Sequence, residues 1–95
     1  MIWTVLATKN FILDLKEIQK TRKSITKHIK ELDEYLSKHG IDQNIKHKFD
    51  IEPLADGYFR FKFIPYRVII KVEENTIYFK KIFKRKWIGD YKQFS

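Results

Sequence analysis

The segment Tyr58-Phe59-Arg60-Phe61-Lys62-Phe63 limits what this chain can fold into more than any other. Side chains alternate across a strand, so a strand here puts Phe59, Phe61 and Phe63 on one face and Arg60 and Lys62 on the other. Two further β-rich runs, 67–72 and 76–83, come directly after it, separated only by Ile64-Pro65-Tyr66 and Glu73-Glu74-Asn75. Connections that short join antiparallel neighbours, so the C-terminal half predicts a three-stranded meander with one apolar and one basic face. The apolar face needs a cover, and the other half of the chain must supply it.

That half begins with a short β-rich run over 2–7. Thr8 or Asn10 can then cap a helix, because either side chain accepts from the free amides of a first turn. Phe11, Leu15, Ile18, Ile25, Ile29, Leu32 and Leu36 recur at helical steps, with the basic Arg22 in the same series. One helix over 10–39 would be about 45 Å long, against a radius of gyration near ~13 Å for a domain of this size. A break near 21–24 predicts two helices packed as a hairpin on the sheet; one long projecting helix is the alternative. Lys38, His39 and Gly40 suit the end of the second helix. Residues 41–52 read as a polar connection with room for a short strand near 49–51, interrupted by Pro53, and Ala55-Asp56-Gly57 reads as a turn. The expectation is one α+β domain over 1–95. It has an N-terminal strand, a two-helix hairpin and a three-stranded antiparallel meander, all its strands in one mixed sheet. The pattern does not say which strand the first one joins.

Composition then narrows the chemistry. Cysteine is absent, which excludes a disulfide framework, a thiol nucleophile and a Cys-ligated metal. Apolar runs fall far short of the roughly 20 residues of a membrane span, and Met1 is followed by no basic n-region of a secretory signal. A cytoplasmic location and no membrane partner are expected. Residues 1–57 carry 10 Lys and Arg against 9 acids, whereas 58–95 carry 10 against 3. Nearly all of the net charge of +8 therefore lies on the meander and the residues C-terminal to it, where it would steer an anion.

No group of His, Asp and Glu has zinc-site spacing, so no metal or other cofactor is expected. His28, His39 and His47 read as surface or helix-terminal residues. The three glycines are too scattered for a phosphate loop. The helical acids Asp14, Glu17, Glu31, Asp33 and Glu34 look like partners of nearby lysines. A basic and aromatic set remains. Arg60 and Lys62 share a strand face, and Arg67 opens the next strand just across a turn. Lys80, Lys81, Lys84, Arg85 and Lys86 continue beyond, with Trp87 and Tyr91 beside them. Cations on an open sheet face with aromatic rings at its rim meet the needs of single-stranded nucleic acid, whose phosphates want Arg or Lys and whose bases want rings. RNA cleavage needs little more, since a neighbouring 2'-OH can attack the phosphate while fixed cations stabilise the developing charge. Proton transfer would then fall to Lys62, Tyr91 or Arg85. Lys and Tyr ordinarily titrate near ~10, so a crowd of cations that lowers this value would help.

The run from Leu54 to Phe63, then Tyr66-Arg67-Val68-Ile69-Ile70, then Lys84-Arg85 with Tyr91, resembles the RelE/ParE superfamily of bacterial toxins. The order of strand, helix hairpin, turn and meander is similar over essentially the whole chain. The resemblance is closest to the RelE-type branch, which cuts messenger RNA in the ribosomal decoding site. It implies that Arg67 holds the scissile phosphate and that Arg85 stabilises the transition state or serves the leaving group. Tyr91 would stack on and orient the nucleotide. Lys62 would activate the 2'-OH, with Arg60 in support where the best-known members have lysine. The resemblance further implies ribosome-dependent, metal-independent cleavage, with ribosome, mRNA and a cognate antitoxin protein as partners. Lys80, Lys81, Lys84, Lys86 and Trp87 would contact the nucleic acid. A gyrase inhibitor of the ParE type and a non-catalytic basic binding module are the alternatives.

Overall fold

The computed structural model describes residues 3–85. In chain order its elements are β1 (Thr4–Ala7), α1 (Lys9–Gln19), α2 (Ser24–His39), α3 (Ile45–Lys48), β2 (Ile51–Pro53), β3 (Tyr58–Phe63), β4 (Tyr66–Glu73) and β5 (Thr76–Lys84). The strands form one sheet in the order β1-β5-β4-β3-β2. β3, β4 and β5 are the expected antiparallel meander. β1 joins at the far side of β5, parallel to it, which makes the sheet mixed.

The helical stripe does break where its length requires. Thr8 caps α1 by accepting from the Phe11 amide. At the other end the Lys20 and Thr21 amides reach back only three residues, to Glu17 and Ile18, a tightening typical of a last helical turn. Arg22, the one basic residue of the apolar series, lies in the link between the helices. There its guanidinium sits 5.9 Å from the centroid of the Tyr66 ring, where the charge costs nothing to the core. After the break Ile25, Ile29, Leu32 and Leu36 bury one face of α2.

Those residues meet the apolar face of the sheet. Phe61, Tyr66, Val68, Ile70, Ile77, Phe79 and Ile82 form one core with Phe11 and the buried face of α2, and the Phe11 and Phe79 rings are 4.9 Å apart. Gly40 ends α2 at φ +64° and ψ −151°, a conformation open only to glycine. It also leaves room for Trp3, because a Cβ there would come within 2.3 Å of the indole.

Two details differ from the sequence expectation. The connection after α2 contains a helical turn, α3, whose Ile45 and the adjoining Phe49 are both buried. The short strand lies at 51–53 rather than near 49–51, and it includes Pro53. Proline is tolerated because β2 is the sheet edge, where a missing N–H breaks no ladder. Phe49 then packs edge-on against Phe61 and Phe63, at 6.0 and 6.3 Å. This aromatic cluster supports β3 from below, each such pair contributing about 0.5–1.5 kcal/mol beyond burial.

Tyr35 ties α2 to the same connection by donating to Asp42 Oδ1 at 2.5 Å. The bond pushes the Tyr35 hydroxyl up to about 12 and holds the Asp42 carboxyl below its ordinary value. A lowered acid contributes stability that is lost as pH falls through its folded-state value, and a raised phenol contributes stability that is lost as pH rises through its own. Tyr35→Phe should therefore lower the denaturation midpoint by a steady amount between about pH 5 and 9. The difference should shrink below about pH 4 and above about pH 10. Denaturant melts of both proteins across that range test it; a gap independent of pH would show that the bond is not its source.

Candidate active site

Pairing across β3 and β4 sets the geometry of the basic face. Lys62 lies opposite Arg67, Arg60 opposite Ile69, and Tyr58 opposite Lys71. Cross-strand partners share a face, with Cβ atoms roughly 5 Å apart. Arg60, Lys62 and Arg67 therefore stand together on the face away from the helices, while Phe61 between them is fully buried in the core. The alternation of one six-residue strand thus supplies both the anchor and the charges.

The three cations are not equivalent. Arg60 forms an ion pair with Glu52, its cross-strand neighbour on β2. Among the described residues, neither Lys62 nor Arg67 forms an ion pair with an acid. Among the described residues the Arg67 guanidinium donates only to its neighbour's backbone, from Nη1 to the Tyr66 carbonyl at 3.1 Å. Both are half-buried at the end of the sheet. Two unmatched cations facing each other form a concentrated site for an anion, and the arginine fork suits the paired oxygens of a phosphate.

Arg85 reaches the same end of the sheet from β5. Its amide donates to the Pro65 carbonyl in the β3–β4 turn at 2.8 Å, and Arg67 itself pairs with Phe83, two residues earlier. The backbone thus fixes where Arg85 leaves the sheet, beside the turn after Lys62. Tyr91, Lys86 and Trp87 lie outside the described residues.

The lysines of β5 do not share one surface. The pairing of β4 with β5 shifts register between Ile69 and Ile70, so that Ile69 meets Lys81 and Ile70 meets Phe79. A bulge of this kind re-aims side chains. Lys80 stays on the open face, its ammonium 5.3 Å from the centroid of the Tyr78 ring. Lys81 turns to the helices, with Nζ 2.7 Å from Asp14 Oδ2. Lys84 is exposed and pairs with Tyr66, so it borders the cleft of about 390 Å³ between α1 and the end of β5. Lys81 thus leaves the strand opposite Ile69 but places its ammonium on Asp14, and Lys80 is the one of these three whose ammonium stays on the face of Lys62 and Arg67. The sequence pattern did not single out Lys71, which has the parity of Arg67 and Ile69 and so belongs to this face. Glu73 accepts from its ammonium at 3.0 Å and holds it above the ordinary lysine value.

The histidines occupy the positions expected of surface and helix-end residues. His28 is exposed on α2 with its ring stacked on Phe63 at 5.4 Å, and His39 lies against Tyr35 at 4.8 Å. Among the described residues no group of three or more His, Asp or Glu could hold a metal ion, and no helix is long and apolar enough to cross a membrane.

No family model matches the sequence, and no curated protein matches it. Solved structures do match. A chain of the RelB–RelE antitoxin–toxin complex from Methanococcus jannaschii superposes with a TM-score of 0.69 at 28% identity, over 85% of this chain and 91% of that one. An archaeal RelE–RelB complex from Pyrococcus horikoshii OT3 gives 0.69 at 24%, over 90% and 98%. The chain has the RelE-type fold. YafQ from Escherichia coli BL21(DE3) has it too, with a TM-score of 0.71 at 20% identity over 87% and 93%. In this chain the RelE-type sheet carries Lys62 and Arg67, without an acid partner among the described residues, at the end formed by the β3–β4 turn and the exit of β5.

Proposed function

We propose that the chain is the toxin of a toxin–antitoxin pair, and that it inhibits translation as a ribosome-dependent, metal-independent endoribonuclease acting on mRNA. The observation that carries this reading is the cross-strand pair Lys62 and Arg67, unmatched by acid among the described residues, with the backbone of Arg85 tied to the turn beside them. The 28% identical relative is part of an antitoxin–toxin complex, which supports both the toxin role and a cognate antitoxin. The charge of the last 38 residues, 10 basic against 3 acidic, would favour an acidic partner segment.

In this mechanism Arg67 holds the non-bridging oxygens of the scissile phosphate, and Lys62, acting as its neutral amine, takes the proton of the adjacent 2'-OH and becomes the ammonium. The 2'-oxygen bonds to phosphorus as the bond to the 5'-oxygen breaks, leaving a 2',3'-cyclic phosphate and a 5'-hydroxyl. Arg85 stabilises the charge that grows on the phosphoryl and leaving oxygens. Tyr91 is assigned to stacking on the nucleotide and to returning a proton to the leaving oxygen. Arg60, already paired with Glu52, holds the strand and its field in place. Lys84, Lys86 and Trp87 are assigned to flanking contacts with nucleic acid, and Lys81 contributes charge from the helix side.

Induction in bacteria with sequencing of mRNA ends on ribosomes tests the reading. Wild-type protein should give new ends within translated codons, and Arg85→Ala should not. Intact messages with stalled supercoiling would point instead to a gyrase inhibitor.

A further inference from the structure

The turn-end cations occupy only part of the open face. Four residues back along β3, about 13 Å away at strand rise, the register aligns Tyr58, Lys71, Tyr78 and Leu6 across β3, β4, β5 and β1. Tyr58 is buried. Lys71 lies 5.2 Å from its ring and is bonded to Glu73, so these two form a floor. The residues beyond them are accessible. Tyr78 and Lys80 are half-buried, and Leu6, beside Tyr78 on the edge strand, is 48% exposed.

The bulge gives this corner its character. Lys81 is matched by Asp14, whereas Lys80 forms no ion pair among the described residues. It rests on the Tyr78 ring. A lysine parked on an aromatic face can swing to a phosphate with little loss, and the ring it uncovers can receive a base. The exposed leucine next to the ring widens the apolar platform. A cation, an aromatic face and an apolar edge in one row match a nucleotide better than they match an acidic peptide, which would need the charge alone.

We propose that Leu6, Tyr78 and Lys80 form a nucleotide subsite, which holds the RNA strand at a position flanking the cut. The inference rests on the reading of Lys62 and Arg67 as the cutting site, and it gives that site a direction: the strand runs along the open face from the β3–β4 turn toward β1.

The test uses the full chain and fluorescent 2'-O-methyl RNA oligonucleotides, which the proposed chemistry cannot cut, in lengths of about three to eight nucleotides. Wild-type affinity should rise in a step once the strand is long enough to reach from Arg67 to Tyr78. Lys80→Gln, Leu6→Ser and Tyr78→Leu should each remove that step, about a tenfold loss on the longer strands, and leave the shortest unchanged. A loss spread evenly over all lengths, or no loss, overturns the subsite. So does displacement by a polyglutamate peptide that distinguishes wild type from the variants when RNA does not. Cleavage of ribosome-bound message, measured in parallel, separates the two claims. Cleavage without a length step removes only the subsite, and a length step without cleavage removes only the endonuclease reading.

Discussion

Arg67→Ala should lower single-turnover cleavage of ribosome-bound message by about 10²–10³-fold, the usual cost of losing one preorganised group that meets developing charge. Lys62→Ala should lose about 10²–10⁴-fold, the range for a positioned general base. The two side chains face each other across adjacent strands, so in the proposed mechanism they serve one phosphate and their losses should not add; the double variant should fall little below the less active single one. Arg60→Ala should cost less than either, because Glu52 already matches its charge. The ordering is what the geometry asserts. Equal losses at Arg60 and Arg67 would mean that net positive charge alone matters, and not the placement of each cation.

Much of this arrangement was legible in the sequence because it stems from period two. Alternation placed Phe59, Phe61 and Phe63 opposite Arg60 and Lys62, and the short connections fixed the meander without knowledge of the rest of the sheet. The helix break was favoured by length, since one rod over 10–39 is too long for so small a domain. With no Gly or Pro to mark the break, a single projecting helix stayed open as the alternative. Other features depended on tertiary context. The β5 bulge reverses the parity on which any reading of Lys80 and Lys81 relies, and nothing local in Tyr78-Phe79-Lys80-Lys81 marks it. The edge position of β2 made Pro53 acceptable within a strand, and an edge is known only once the strand order is. α3 did leave a signal: Ile45 and Phe49 are four apart, and the Asn44 amide donates to the Asp42 side chain just before them. The difference between Arg60 and Lys62 was hidden too, because it comes from Glu52 on a strand that pairing alone brings alongside.

Phe61→Ala should produce the largest loss of stability, about 3–5 kcal/mol. Phe61 is fully buried and packs against Phe49 and Phe63 at 6.0 and 6.4 Å, so truncation leaves a cavity under the strand that carries Arg60 and Lys62. A loss of that size is a large share of the roughly 5–15 kcal/mol of a typical domain. Denaturant melts would measure it. The corresponding change on the other face, Lys62→Ala, should stay within about 0.5 kcal/mol, as surface substitutions do. Catalysis and stability would then separate along a single strand, one parity serving each. A Phe61→Ala protein as stable as wild type would mean that the core does not lie between β3 and α2.

The central claim is that side chains of this chain direct a 2'-OH onto the neighbouring phosphate. The most direct measurement is the chemistry of the ends made when purified protein meets programmed ribosomes. The expected ends are a 2',3'-cyclic phosphate, or its 3'-phosphate product, on one side and a 5'-hydroxyl on the other. Those ends should be lost with Arg67→Ala, and they should vanish when the nucleotide before the cut is 2'-deoxy. Ends carrying a 5'-phosphate, or cutting that persists at a 2'-deoxy position, would contradict the claim.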